Sequence, residues 1–262
     1  WRDWSSDVCS SDLVDFMDPE NDEAVFGRGG IFDTLKPAAV VLHDVLDCYS
    51  VSHHHKHDPV LQYAKHKQGR GNVLAEVDRC FEYIDSRVPA GTDCIIVGSN
   101  HNEHLGRWVR DTDPRTDPEN AITWASLYAA MCQAACIGPS GLETIDPFEH
   151  LAKTRLARYA DTKFVGRGGY VIAGVEVGMH GDRGPNGARG SRKALSRIGV
   201  KSVIGHSHSP GIEGGCYQTG TSSRLALEYS AGSPSGWLHT HCLIYANGKR
   251  TLVHCIGTEW RA

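Results

Sequence analysis

The sequence predicts an α/β protein with a mixed sheet, and three observations carry that expectation. Short apolar runs that each discharge into a polar, His-bearing loop recur along the chain, as buried strands feeding loops do. Segments with apolar residues at helical spacing alternate with them in the first part of the chain. The C-terminal end instead reads as two strands around Asn247-Gly248, the strongest short hairpin signal. Alternating strands and helices give parallel pairs, and hairpins give antiparallel ones, so the sheet is expected to be mixed. A length of 262 residues suits one large domain or two small ones, and such a length can bury a sizeable core.

Taken in order, the elements begin with a problem. Residues 2–13 read "RDWSSDVCSSDL", in which Ser5-Ser6-Asp7-Val8 is nearly repeated by Ser10-Ser11-Asp12-Leu13. The stretch has neither a helical nor a strand period, and it lacks the basic-then-apolar layout of a secretory signal. It resembles, residue for residue, a translated sequencing-adapter oligonucleotide. Residues 1–13 are therefore expected to be non-native and residues 14–262 to form a single domain, with the N-terminal strand missing. "AAVVLHDVLD" (38–47) is then a buried strand running into a loop, and "NVLAEVDRCFEYIDSRV" (72–88) is a helix punctuated by Pro89 and Gly91. "TDCIIVGSNHNEH" (92–104) repeats the strand-then-loop pattern. Helices are predicted from Asn120 to Cys136 and from Asp146-Pro147 to about Tyr159. "YVIAGVEVGMHGDRGPNG" (170–187) and "VKSVIGHSHSPG" (200–211) read as two further strands with Gly-rich loops.

Composition narrows the function. The net charge is −4, of which residues 2–13 contribute −2 through Arg2 against Asp3, Asp7 and Asp12. Global charge does not advertise a polyanion binder, so any nucleic-acid contact must come from a local patch. Nine cysteines are scattered without a CxxC, which favours reduced, buried thiols and a cytoplasmic setting. Cys132 and Cys136, at i and i+4 on a predicted helix, are expected to face the core. No apolar run reaches the length of a transmembrane helix, so no membrane partner is expected. The unusual number is fifteen histidines, clustered near aspartates, asparagines and glycines.

Four loops after four strands carry the chemistry: "HDVLD" (43–47), "GSNHNEH" (98–104), "GMHGD" (178–182) and "GHSH" (205–208). Ligands gathered at strand ends are a common way for an α/β scaffold to build a site. A mixed oxygen and nitrogen set of Asp, Asn and His suits Mn, Fe or Zn better than Mg or Ca. Two such ions can activate a water and clamp the oxygens of an in-line phosphoryl displacement.

The order D…NH…H…GHxH is similar to that of the calcineurin-like metallophosphoesterases, whose pattern is DxH, GDxxD, GNH[DE], H, GHxH. The resemblance implies a four-layer α/β/β/α sandwich with mixed sheets and two divalent metal ions, Mn first and Fe or Zn as alternatives. It implies that Asp44 bridges both ions, that Asn100, His180 and His206 hold the second, and that His208 belongs to the first. His101 would be the general acid and Asp47 its orienting carboxylate. The chain departs from the pattern at His43, which replaces the glycine of GDxxD, and at Ser99, which separates Gly98 from Asn100. It also lacks DxH before Asp44, so two first-metal ligands are expected to be missing and this chain to be catalytically impaired. The longer strings "SHHHKHDP", "SNHNEHLGRW", "HGDRGPNGARGS" and "GHSHSPGIEGGCYQTGTS" resemble the pre-early, host-DNA-degrading proteins of T-five-type tailed phages.

The remaining features are weighed beside these. "SNHNEH" is alternatively an Asn-rich helix cap. His104, three residues beyond His101, shares its face on a helix and is a candidate phosphate contact, with a merely structural role as the alternative. In "SHHHKHDP" (52–59), identity without geometry does not make a metal site, and a solvated loop near the substrate is the reading adopted. Arg183, Arg189 and Arg192, among glycines in "DRGPNGARGSRK" (182–193), form the one basic patch beside a metal motif and are candidate phosphate contacts; an ordinary exposed loop is the alternative. The function expected is that of a dinuclear-metal phosphodiesterase, a phage deoxyribonuclease degrading host DNA in the bacterial cytoplasm. The alternatives are a phosphomonoesterase or small-nucleotide phosphodiesterase on the same metal centre, or a phage DNA-transfer or host-takeover protein that uses the fold for binding.

Overall fold

The computed structural model describes residues 6–11, 13–137, 145–155, 162–166, 168–227 and 234–261. In chain order the strands and helices are β1 (Ser6–Ser11), α1 (Pro19–Phe26), α2 (Ile31–Leu35), β2 (Ala39–His43), α3 (Pro59–Lys67), α4 (Val73–Arg87), β3 (Asp93–Val97), α5 (Glu103–Asp111), α6 (Ala121–Ile137) and α7 (Pro147–Arg155). There follow β4 (Lys163–Val165), β5 (Val171–Ile172), β6 (Val175–Glu176), α8 (Arg192–Leu195), β7 (Ser202–Ile204), β8 (Gly211–Glu213), β9 (Cys216–Gln218), β10 (Thr240–Tyr245), β11 (Arg250–Ile256) and β12 (Glu259–Arg261). The chain divides into two compact units, one of residues 1–45, 84–99 and 162–262, the other of residues 46–83 and 100–161.

The first unit is a sandwich of two mixed sheets. One runs β12-β11-β10-β1-β2-β3-β4 and the other β5-β6-β7-β9-β8. In the first sheet β1 through β4 are parallel and β10 through β12 antiparallel, as the early βα and late hairpin signals predict. The period of two decides what lies between the sheets. Ala39 and Val41 of β2, Ile95 and Val97 of β3, Val175 and Val177, Val203, Cys242 and Ile244 form one buried cluster there. Val40, Leu42 and Ile96, in the intervening positions, are buried on the other face. Helix α1 packs on β11 and β12, and α8 on β8 and β9, which gives the helix-sheet-sheet-helix order.

Two expectations are corrected. The N-terminal strand is present: residues 6–11 pair in parallel with β2 (Val8 opposite Val40) and antiparallel with β10 (Cys9 opposite Cys242). A position between two strands offers both edges for backbone hydrogen bonding, and burial of Val8 on one face and Cys9 on the other suffices to fill it. The segment 170–187 is not a single strand either. Ala173 (φ 49°) and Gly174 (φ 75°) turn β5 back on β6, and positive φ at both turn positions is the signature of the tight hairpin loop.

The second unit holds α3, α5, α6, α7 and most of α4. Asn120 accepts the Val73 amide at the start of α4 (2.9 Å), and Phe81 stacks on Phe148 with centroids 5.1 Å apart. The buried Glu76 carboxylate accepts the amides of Tyr49 (2.7 Å) and Ser50 (2.9 Å), while the buried Lys65 ammonium donates to the Tyr49 carbonyl. The turn that follows Asp47 is thus gripped by one anion and one cation. Cys132 and Cys136 are exposed, against expectation, because α6 is apolar on every side and its sequence has no face to read.

Among the buried polar groups of the first unit is His241, whose Nε2 lies 3.3 Å from Asn21 Oδ1 and whose pKa burial pushes down to about 3. The folded chain keeps this imidazole neutral while the unfolded chain takes up a proton below its ordinary value of 6.5. Its contribution to stability is therefore lost as pH falls from about 6.5 towards about 3. His241→Gln, which keeps an amide donor and removes the titration, is expected to lessen the drop in urea midpoint between pH 7 and pH 4.5.

Candidate metal centre

In the first unit the loops after β2, after β6 and after β7 bring Asp44, His180, His206 and His208 together. Asp44 is fully buried and holds a left-handed backbone (φ 55°), a conformation that non-glycine residues adopt at a cost and that clusters at functional sites. His180 Nε2 lies 3.1 Å from Asp44 Oδ2 and 3.3 Å from His206 Nδ1. His208 Nε2 lies 3.7 Å from the same Asp44 oxygen, and His208, too, has positive φ (56°). One donor atom from each of Asp44, His180 and His206 falls within 4.8 Å of the others. Two loops share one anchor, since the His180 carbonyl accepts the amides of both Gly205 (2.9 Å) and His206 (3.0 Å).

This donor set fits a transition-metal ion. A carboxylate and three imidazoles, most of them removed from water, offer the mixed oxygen and nitrogen shell preferred by Mn, Fe and Zn. Burial, then the neighbouring His180, holds His206 below its ordinary pKa, so it presents a lone pair and not a proton at neutral pH. Two residues that the sequence did not mark as site residues complete the surroundings. His43, fully buried with neither ring nitrogen hydrogen-bonded, lies 5.9 Å from the His180 ring and is driven to a pKa of about 3 by burial and by His180. Trp237 meets the His208 ring edge-on at 4.7 Å. His43 was visible only as a break in a motif; nothing local marks Trp237.

The second unit carries Asp47, Asn100, His101 and His104. His101 Nδ1 lies 3.1 Å from Asp47 Oδ1 and 3.1 Å from the Asp47 carbonyl oxygen. Two acceptors on one nitrogen fix the Nδ1–H tautomer and make Nε2 the basic nitrogen. Asn100 precedes it in the turn that leads into α5. Asn102 occupies the N-cap without a side-chain cap bond, so the capping alternative has no support at that residue. His104 is buried, with its ring 5.5 Å from that of His101, and burial followed by the surrounding His101, His53, His54 and Arg107 lowers its pKa to about 3.

The predicted arginines divide. Arg183 and Arg189 are exposed and face each other in a short antiparallel bridge. Arg192 is engaged internally: its guanidinium donates to the Ser209 carbonyl and crowds Gly211, and the helix it starts is a single turn. A cleft of about 400 Å³ beside His180 is lined by Gly181, Asp182, Arg183, Pro185 and Leu195.

No protein-family model matches the chain. Protein A1 of Escherichia phage T5 is similar to it, 34% identical over 242 residues that make up 90% of this chain and 43% of that protein. The chain thus spans less than half the length of this curated relative. A crystal structure 12% identical aligns with 96% of this chain and 99% of its own at a TM-score of 0.35, a likeness too slight to bear on the fold.

The loop between β6 and α8 has little slack. A Cβ on Gly190 would lie 1.9 Å from the Gly181 carbonyl oxygen and 2.7 Å from the Asp182 carbonyl carbon, backbone atoms of the two residues that follow His180. Gly190→Ala is expected to lower unfolding stability by about 2 kcal/mol and to weaken Mn binding, read by urea denaturation and by metal titration of the folded variant.

Proposed function

We propose that the chain acts as a metal-dependent phosphodiesterase on DNA, with Asp44, His180, His206 and His208 holding divalent metal and His101 acting as general acid. The observation that carries this reading is the convergence of one carboxylate and three imidazoles at the strand ends of the first unit. The likeness to a phage protein agrees with the resemblance to host-DNA-degrading phage proteins and supports DNA as substrate. Asn100, the residue before His101, is proposed as a further ligand, as the metallophosphoesterase resemblance implies.

Bound divalent ions would supply Lewis-acid polarisation of a phosphoryl oxygen and a nucleophilic water at neutral pH. The residues of the chain do the rest. Asp44 contributes the negative charge that retains divalent cations in a buried place. Asp47 holds the His101 ring by two acceptors at Nδ1, which turns Nε2 towards proton transfer and stabilises the imidazolium form. A protonated Nε2 delivers its proton to the departing oxygen. The exposed Arg183 and Arg189 are proposed as contacts to phosphates away from the scissile one, by guanidinium forks.

Asp44→Asn is expected to abolish Mn binding, and His101→Ala to lower the rate of plasmid cleavage in Mn by about 10²- to 10⁴-fold while leaving Mn binding intact. Full plasmid cleavage by His101→Ala would refute the acid, and cleavage of a chromogenic phosphodiester without cleavage of plasmid or linear DNA would move the substrate to small phosphoesters. For the arginines, Arg189→Ala is expected to flatten the slope of log K against log salt by about 0.7 to 0.9 on DNA; an unchanged slope removes Arg189 from the interface.

A further inference from the structure

We propose that His53, His54 and His104 form a metal site of their own in the second unit, taking one borderline divalent ion such as zinc or cobalt on three imidazoles. His53 and His54 lie on the single 3₁₀ turn 53–55, with ring centroids 3.9 Å apart. His104, from the first turn of α5, meets the His53 ring at 4.7 Å and 84° and the His54 ring at 5.8 Å and 70°. One nitrogen from each falls within 4.8 Å of the other two. The Nδ1 atoms of His53 and His104 are buried without a hydrogen-bond partner, a costly state for a ring nitrogen that coordination would relieve.

The donor set decides the kind of ion. Three imidazoles with no carboxylate favour Zn, Co, Ni or Cu over Mn, Mg or Ca, in contrast to the Asp44 set. His54 is exposed, and a cleft of about 440 Å³, lined by His53, Lys56, Gln62, Arg107 and Trp108 among others, gives an ion access. The sequence could not supply this, since "SHHHKHDP" carries identity alone and the third imidazole comes from a helix some fifty residues on.

Arg107 gives the site a signature. Its Nη1 lies 2.8 Å from His53 Nε2, and an arginine only donates, so Nε2 accepts and the ring proton sits on Nδ1. Coordination through Nδ1 requires the other tautomer and therefore loss of the arginine bond. Arg107 and the metal compete for one ring.

The test uses the full chain carrying Asp44→Asn and His206→Ala, which removes the other donor set. After chelator treatment, cobalt is titrated and followed by its visible d–d absorption, and zinc uptake is followed by competition with a chromogenic chelator. One equivalent of metal is expected. His54→Ala, a change at an exposed position, should weaken binding at least about tenfold, and Arg107→Gln should tighten it. If the doubly altered chain does not fold, the same result is read in the unaltered chain as the loss of one zinc equivalent on His54→Ala. A folded chain that takes up no zinc or cobalt, or uptake that His54→Ala and His104→Gln leave unchanged, overturns the proposal.

Discussion

The carboxylate of Asp44 is held wholly out of water, 3.1 Å from His180 Nε2, at the end of the strand that lies between β1 and β3. A charge in that position is expensive unless hydrogen-bond donors or a cation are kept beside it. The first unit is arranged to meet that demand, because the loops after β6 and β7 both deliver imidazoles to the same oxygen. The apolar seam of Val41, Val97, Val177 and Val203 between the two sheets fixes the strand ends from which those loops depart. Loosening the seam would displace these side chains, since packed interiors transmit strain.

The second unit works by a different constraint. There the backbone around Tyr49 is set by buried charge, with Glu76 taking two amides, Lys65 giving to the carbonyl, and both Lys65 and Arg70 lying against the Tyr49 ring at 4.6 and 4.1 Å. Asp47 stands immediately before this turn, so the ring of His101 inherits its orientation from a network with no direct part in chemistry. Breaking one partner of such a network strands the others, so a change at Glu76 or Lys65 would reach His101 through Asp47.

Much of this was legible in the residues because candidate ligands at strand ends announce themselves: an apolar run, then Asp, Asn or His within a few positions. "HDVLD", "GMHGD" and "GHSH" gave Asp44, His180, His206 and His208, and the structure brings all four together. What escaped had a physical reason in each case. The strand of residues 6–11 is polar at most positions and owes its place to partners on both edges. The β5–β6 hairpin hides in an unbroken apolar run because Ala173 adopts a turn conformation that its sequence does not signal. The faces of α6 cannot be told apart when apolar residues surround it. The meeting of His53, His54 and His104 depends on the path of the chain between them.

The single oxygen of the His180 carbonyl, which accepts two amides from the following His-bearing loop, has a further consequence. His180 and His206 are laced through the main chain and, on the metal-binding role proposed above, would act as one bidentate chelator. A chelator with a rigid bite discriminates by ionic radius, and it releases its ion slowly because both arms must let go in concert. Exchange of one metal for another at this place would then be governed by breathing of the loop backbone, and the ion present when the chain folds would tend to be the ion it keeps.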